Sequence, residues 1–424
     1  MVKYARMLLL TILLVVKSYG QNEKENFGYL DVFALQYVQD PQISPDGTSI
    51  VYKRSGFDIM KDRPKGDLWM ISTDGSMHQK LSSQEVNESS PRWSPDGSRI
   101  AYISSTQEGA EVYMYWVNSG KIAKISQLPY SPSSLTWSPT GEQLAFTMHI
   151  PVDPPIAAKI PKKPEGAEWA DEPRLTDRLK HEADGKGYIK AGFHHIFVLA
   201  ADGGSARQVT SGNYQHKGNL SWSPSGDRIY FSGNRIEDWE YDFRNSDIYS
   251  VNVNTGEFEK LTDRNGPDEA PVVSPDGKWI AYTGYEDKVQ AYQVTKLHLM
   301  RTDGSDKRIL SDDLDRSVSN VVWNSNSDAL CFSYDDKGNS KIARINLSGK
   351  ITKLADDLGG TTIGRPYASG SFSIADKGQI AFTLSRPDFP AELALLQSKS
   401  VRQLTRLNAA LLDYRTLGKV EEIW

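Results

Sequence analysis

One phrase recurs along this chain at nearly constant spacing, and it narrows the possible folds more than any other feature. Pro41-Gln42-Ile43-Ser44-Pro45-Asp46-Gly47 is followed by Ile50-Val51-Tyr52, and Pro91-Arg92-Trp93-Ser94-Pro95-Asp96-Gly97 by Ile100-Ala101-Tyr102. Further copies centre on Trp137-Ser138-Pro139, Trp222-Ser223-Pro224 and Val273-Ser274-Pro275, and two worn copies on Trp323-Asn324 and Ile374-Ala375. Counted at the serine position (44, 94, 138, 223, 274, 324, 375), the steps are 50, 44, 85, 51, 50 and 51 residues. The long step leaves room for an insertion of about 35 residues inside one repeat.

Each part of the phrase has a physical job. In Ser-Pro-Asp-Gly, proline presets φ for a turn, aspartate accepts from backbone N–H groups ahead of it, and glycine takes the position that needs φ > 0. The Ile-Ala-Tyr segment after it reads as a strand. A third strand follows, as in Asp67-Leu68-Trp69-Met70-Ile71 or Lys296-Leu297-His298-Leu299. A second turn (Thr73-Asp74-Gly75, Thr302-Asp303-Gly304) then leads to a short fourth strand such as Lys260-Leu261-Thr262. Four strands per period of about fifty residues make one propeller blade. The seven copies predict an all-β, seven-bladed β-propeller with four-stranded blades over residues 21–410. The last unit owns four strands of its own, as does the first. The expected ring therefore has an open seam between first and last blades, held by side-chain packing alone. Trp93, Trp137, Trp222 and Trp323 are expected to pack between neighbouring blades rather than to form a ligand cage.

Composition supports this and excludes several functions. With 38% apolar residues the chain can fill its inter-blade cores, and a net charge of −5 argues against the basic patch of a nucleic-acid or anionic-membrane binder. Cys331 is the single cysteine, so no intramolecular disulfide staples the fold. At the N-terminus Lys3 and Arg6 precede an apolar run from Met7 to Val16, followed by Ser18-Tyr19-Gly20. This predicts a cleavable export signal over 1–20, cut before Gln21, and a secreted or periplasmic protein. The run falls short of the roughly twenty apolar residues of a membrane span, although Lys17 keeps an uncleaved anchor as the alternative. No cysteine lies near the cut to carry a lipid.

No catalytic or cofactor-binding motif accompanies the repeats. The sequence has no Gly-x-Ser-x-Gly elbow, and its seven histidines (78, 149, 181, 194, 195, 216, 298) show no metal-binding spacing. His194-His195 starts a strand, where neighbouring side chains point to opposite faces, and a surface or structural role is expected. Asp335-Asp336-Lys337-Gly338-Asn339 lacks the later bidentate glutamate of a calcium loop and reads as a polar hairpin turn. No cofactor and no metal are expected.

Two stretches are more specific than the repeats. One runs from Glu172-Pro173-Arg174 through Ala183-Asp184-Gly185-Lys186-Gly187-Tyr188 and His195-Ile196-Phe197-Val198-Leu199 to Gln208-Val209-Thr210. The other is Gly359-Gly360, then Gly364-Arg365-Pro366-Tyr367-Ala368-Ser369-Gly370. The Trp-Ser-Pro-Asp-Gly phrases resemble TolB-like propellers. The two stretches resemble the propeller of the prolyl oligopeptidase family of serine peptidases, in its acylaminoacyl-peptidase and dipeptidyl-peptidase branch, from about Leu30 onward.

The resemblance implies an α/β-hydrolase domain after the propeller, with residues 411–424 as a linker and first strand, and with the catalytic triad beyond Trp424. It implies no catalytic residue in this chain, and it implies peptide substrates reached through that hydrolase domain. In dipeptidyl-peptidase members, propeller carboxylates hold a free α-amine. The candidates here are Glu237, Asp238 and Glu240, whose plain alternative is a solvated acidic loop. Arg365 and Tyr367 are a second candidate pair, as a clamp on a carboxylate or carbonyl. The Pro-rich, then charged, insertion over 149–190 is expected on the face toward the hydrolase, as an excursion or as a lid. The other function class left open is a stand-alone periplasmic propeller that binds a protein partner.

Overall fold

The computed structural model describes residues 24–82, 86–153, 161–170, 175–216, 218–360 and 370–423. The export signal expected over 1–20, Arg365 and Tyr367 lie outside the described residues. Within them the repeats fold as successive antiparallel meanders, and helix is confined to Tyr29–Ala34 (3-10) and Ala409–Leu412. The first meander is Tyr37–Ile43, Ser49–Asp58, Arg63–Ser72 and His78–Lys80, paired in chain order. The same order holds in the six units that follow, beginning at Asn87, Pro132, Gln215, Asp268, Val318 and Phe372. A single bridge, Leu358 to Leu384, joins the sixth sheet to the seventh.

The repeat phrase builds the joints of this fold. In the first copy Ser44 Oγ donates to Asp46 Oδ1, which also accepts from Thr48 N at 3.0 Å, while Ser49 N donates back to Ser44 Oγ at 3.0 Å. Gly47 closes the turn at φ 78°, and Gly97, Gly141, Gly226 and Gly277 repeat it at 70–73°. These hydroxyl contacts hold the Asp96 carboxyl down to about 2, Ser94 contributing most. The aromatic of each second strand fills the space between sheets: Tyr52, Tyr102, Phe146, Phe231, Phe332 and Phe382 are fully buried. Burying a side chain of that size stabilises by roughly 1.5–3 kcal/mol.

The core accordingly lies between neighbouring sheets. Val51, Leu68 and Met70 of the first unit pack on Ile100, Tyr102 and Tyr115 of the second. Three tryptophans add a hydrogen bond across such interfaces: the indoles of Trp93, Trp137 and Trp323 donate to the carbonyls of Gln42, Arg92 and Val272, each at 2.9 Å. Trp222 is as buried as Trp137 and Trp323, but its indole N–H has no partner. Where the phrase carries Val273 instead of tryptophan, its backbone N–H donates to Ser221 Oγ of the preceding unit at 2.9 Å.

The junction of first and last units corrects the expectation of side-chain packing alone. Val38, Ile43, Ile50 and Tyr52 do pack on Ala375, Ala381, Leu393 and Leu395. Ile43 N, however, also donates to Ser373 Oγ at 2.8 Å, the same device that joins Val273 to Ser221. Asp376 N donates to Pro45 O at 3.0 Å, and Asn408 brackets the backbone of Gln36 with bonds of 2.7 and 2.6 Å. Glu25–Asn26 pairs in parallel with Arg415–Thr416, and Arg415 grips Asp31 with two hydrogen bonds. Beyond Arg415–Thr416, residues 417–423 carry no regular secondary structure. An extended segment becomes a strand only beside a pairing edge, and no described strand lies against it.

Candidate functional site

The meander order sends every connection to one of two ends. The Ser-Pro-Asp-Gly and Thr-Asp-Gly turns close one end with short polar loops. All second-to-third-strand loops and all crossovers between units lie at the other, as do the segments before Tyr37 and after Gln403. Of the exposed large hydrophobic residues among those described, all except Ile309 and Val401 belong to segments leaving the sheets at this second end. They include Tyr29 (90% exposed), Met60 (88%), Tyr241 (79%) and Val289 (79%). Hydrophobic side chains scattered over a surface need no explanation, whereas their confinement to one end does.

The insertion rises from this end. The third unit's second strand, Gln143–Pro151, pairs along its whole length with Gly192–Ala200, so the excursion occupies 152–191. It contains a small hairpin, Glu182–Ala183 with Gly187–Tyr188. Beside it stands the fourth unit's loop, between Arg228–Asn234 and Asp247–Asn252. A cleft of about 540 Å³ separates the two.

Of the three acidic candidates only Glu240 lines this cleft. Its Oε2 accepts from Leu179 N at 3.3 Å, tying the loop to the insertion. Glu237 and Asp238 are exposed and away from the cleft. The Asp238 carbonyl instead accepts from Tyr241 N at 2.9 Å and closes a turn. Trp239, Arg178, His149 and His194 line the cleft: Trp239 meets the buried Phe193 edge-on at 6.2 Å, Arg178 lies 4.7 Å over Phe193, and His149 meets His194 at 5.1 Å. His194 Nδ1 is 2.9 Å from Gln215 Oε1. His195, pointing the other way, is buried against His216, as the strand alternation expects.

Sequence reasoning missed a buried polar cluster between the fourth and fifth units. Arg264 pairs with Asp268 and reaches His298 Nε2 at 2.9 Å, while Tyr282 stacks on His298 at 5.1 Å. Burial raises Asp268 to about 6 against the pull of Arg264, and burial with Arg264 lowers His298 to about 4. No motif signals it, because its members come from a crossover and three strands. Among the described residues no group of three or more His, Cys, Asp or Glu could hold a metal. Asp335 and Asp336 are used by Ser340, Lys341 and Arg316 around a tight Lys337-Gly338 hairpin.

Comparison with known proteins agrees with the propeller fold. Residues 58–154 match the TolB beta propeller domain, and residues 168–291 match the dipeptidyl peptidase IV N-terminal region. An uncharacterized peptidase of Bacillus subtilis, YuxL, is 25% identical over 93% of this chain and 60% of its own length. Dipeptidyl-peptidase 5 of Porphyromonas gingivalis is 24% identical over 96% of this chain and 60% of its own. The chain thus spans 60% of the length of these two relatives. Among solved structures, the acylaminoacyl peptidase of Pyrococcus horikoshii superposes with a TM-score of 0.68 at 17% identity, covering 90% of this chain and 54% of that one. The β-propeller domain of the Trilobed protease from Pyrococcus furiosus gives 0.59 at 16% identity, over 89% and 98%.

Proposed function

Since the chain is a propeller region of the kind found N-terminal in prolyl oligopeptidase-family peptidases, we propose that it admits and orients oligopeptides for a hydrolase domain docked on its loop end. The observation that carries this reading is the confinement of exposed hydrophobic side chains to that end, which also bears the insertion and the acidic loop. A surface kept apolar at one end only is suited to a partner that covers it. Glu240 is the carboxylate of the acidic loop set to receive a substrate α-amine, since it alone of the three candidates lines the cleft. The protein works outside the cytoplasm after loss of residues 1–20.

Reading the coding sequence beyond Trp424 tests the proposal. An in-frame continuation with a Gly-x-Ser-x-Gly elbow within roughly 150–200 residues is expected. A stop codon with no hydrolase frame behind it refutes the proposal and favours the second reading, a propeller that binds a protein partner through the same end. The TolB propeller match over 58–154 is what supports that reading.

A further inference from the structure

The cleft between the insertion and the fourth unit's loop has a charge that the acidic loop alone does not suggest. Its lining contains four cations, Arg178, Lys180, Lys186 and Lys190, and two carboxylates, Asp177 and Glu240. No ion pair between described residues uses any of the four cations. One of the two carboxylates is already engaged by Leu179 N. Arg178 is held in place by its stack on Phe193. Trp239 and Phe243 supply apolar wall beside these charges.

Four cations that form no ion pair among the described residues, set around a cavity of this size, act together on anything inside it, because the screening length at about 0.1 M salt is roughly 10 Å. A carboxylate is the group they fit: guanidinium binds it with paired hydrogen bonds and ammonium binds it as a point charge. The aromatic wall suits the apolar stem of a peptide rather than a free inorganic anion. Resting on the peptide-handling role above, we infer that this cleft binds acidic side chains of oligopeptides, so the propeller favours substrates rich in Asp and Glu.

Fluorescence anisotropy with the full chain tests this, using three dye-labelled hexapeptides identical except for Glu, Gln or Lys at three positions. Both peptide ends are capped, so only side chains carry charge. The Glu peptide is expected to bind about tenfold more tightly than the Gln peptide, with the Lys peptide weakest and the preference shrinking as salt rises. Lys180→Glu/Lys186→Glu abolishes the preference, whereas Lys121→Glu/Lys350→Glu, at the opposite end of the sheets, keeps it. Circular dichroism melts confirm that both variants fold. Equal binding of Glu and Gln peptides overturns the acidic preference while leaving peptide handling intact. Failure of all three peptides to bind overturns the acidic preference, and if uncapped versions, which offer an α-amine to Glu240, also fail to bind, peptide handling falls with it. If a Glu peptide with a free C-terminal carboxylate binds and the capped one does not, the terminus is the ligand and the side-chain inference falls.

Discussion

The His216 ring is fully buried, its Nδ1 donating to His194 O at 3.2 Å and its Nε2 accepting from the Arg235 guanidinium. A second proton would sit on Nε2, facing that guanidinium. Burial first, then Arg235, then His195 lower its pKa to about 3. The unfolded chain binds this proton near pH 6.5 and the folded chain does not, so stability is complete above 6.5 and is lost as the pH falls toward 3. Between pH 6.5 and 5 that amounts to about 2 kcal/mol. Glu88, Glu392 and Asp268 have raised pKa values and act in the opposite direction, so the wild type alone does not isolate the effect. His216→Leu is expected to flatten the acid limb of a stability profile measured by urea unfolding from pH 7 to 5. A slope identical to wild type refutes this. The tryptophans offer a matched comparison at the same scale. Trp137→Phe removes an indole bond to Arg92 O and Trp222→Phe removes none, at nearly equal burial. The first is expected to cost about 1 kcal/mol more than the second in equilibrium unfolding. Equal costs would mean that the interface indole bond contributes nothing net.

At the scale of elements, the meeting of the two chain ends depends on Asn408, which is buried and bonds both the N–H and the C=O of Gln36. Asn408→Ala leaves both groups unpaired and is expected to cost about 2 kcal/mol and to speed amide exchange at Gln36. Unchanged exchange there would show that the first and last units hold together without it. None of this was legible in the sequence, because the partners stand 372 residues apart and Asn408 follows an ordinary fourth strand. The repeat itself was legible, since its turn chemistry and buried aromatics are local and recur in register. The bulges were not. Asp40, Ser90, Ser134, Ala270 and Asn320 all take φ between 47 and 55°, each four residues before the serine position, where the inner strand shifts register. No glycine marks these sites, because the surrounding sheet imposes a conformation that the residues themselves disfavour. The acidic loop was visible as a run of carboxylates, while the cations facing it come from an insertion whose fold carries no repeat.

For the whole molecule, the uneven ends carry the last prediction. Tyr29, Ile59 and Met60 stand exposed at the loop end, whereas Ile309 and Val401 are the exposed hydrophobics on outer strands. If the loop end is built to be covered, the isolated chain should associate with itself through that end as concentration rises, since apolar area left in water favours any contact that removes it. Sedimentation velocity across a concentration series is expected to show this association, and Ile59→Lys/Met60→Lys to weaken it without changing the unfolding midpoint. Ile309→Lys/Val401→Lys should leave it as it was. The comparison separates a face from mere stickiness: both pairs remove two exposed apolar side chains, and only their position differs. Equal weakening by both pairs, or a chain that stays monomeric throughout, would remove the argument that this end awaits a partner. The turn end would then be no more a free surface than the loop end, and the asymmetry of side chains would need another cause.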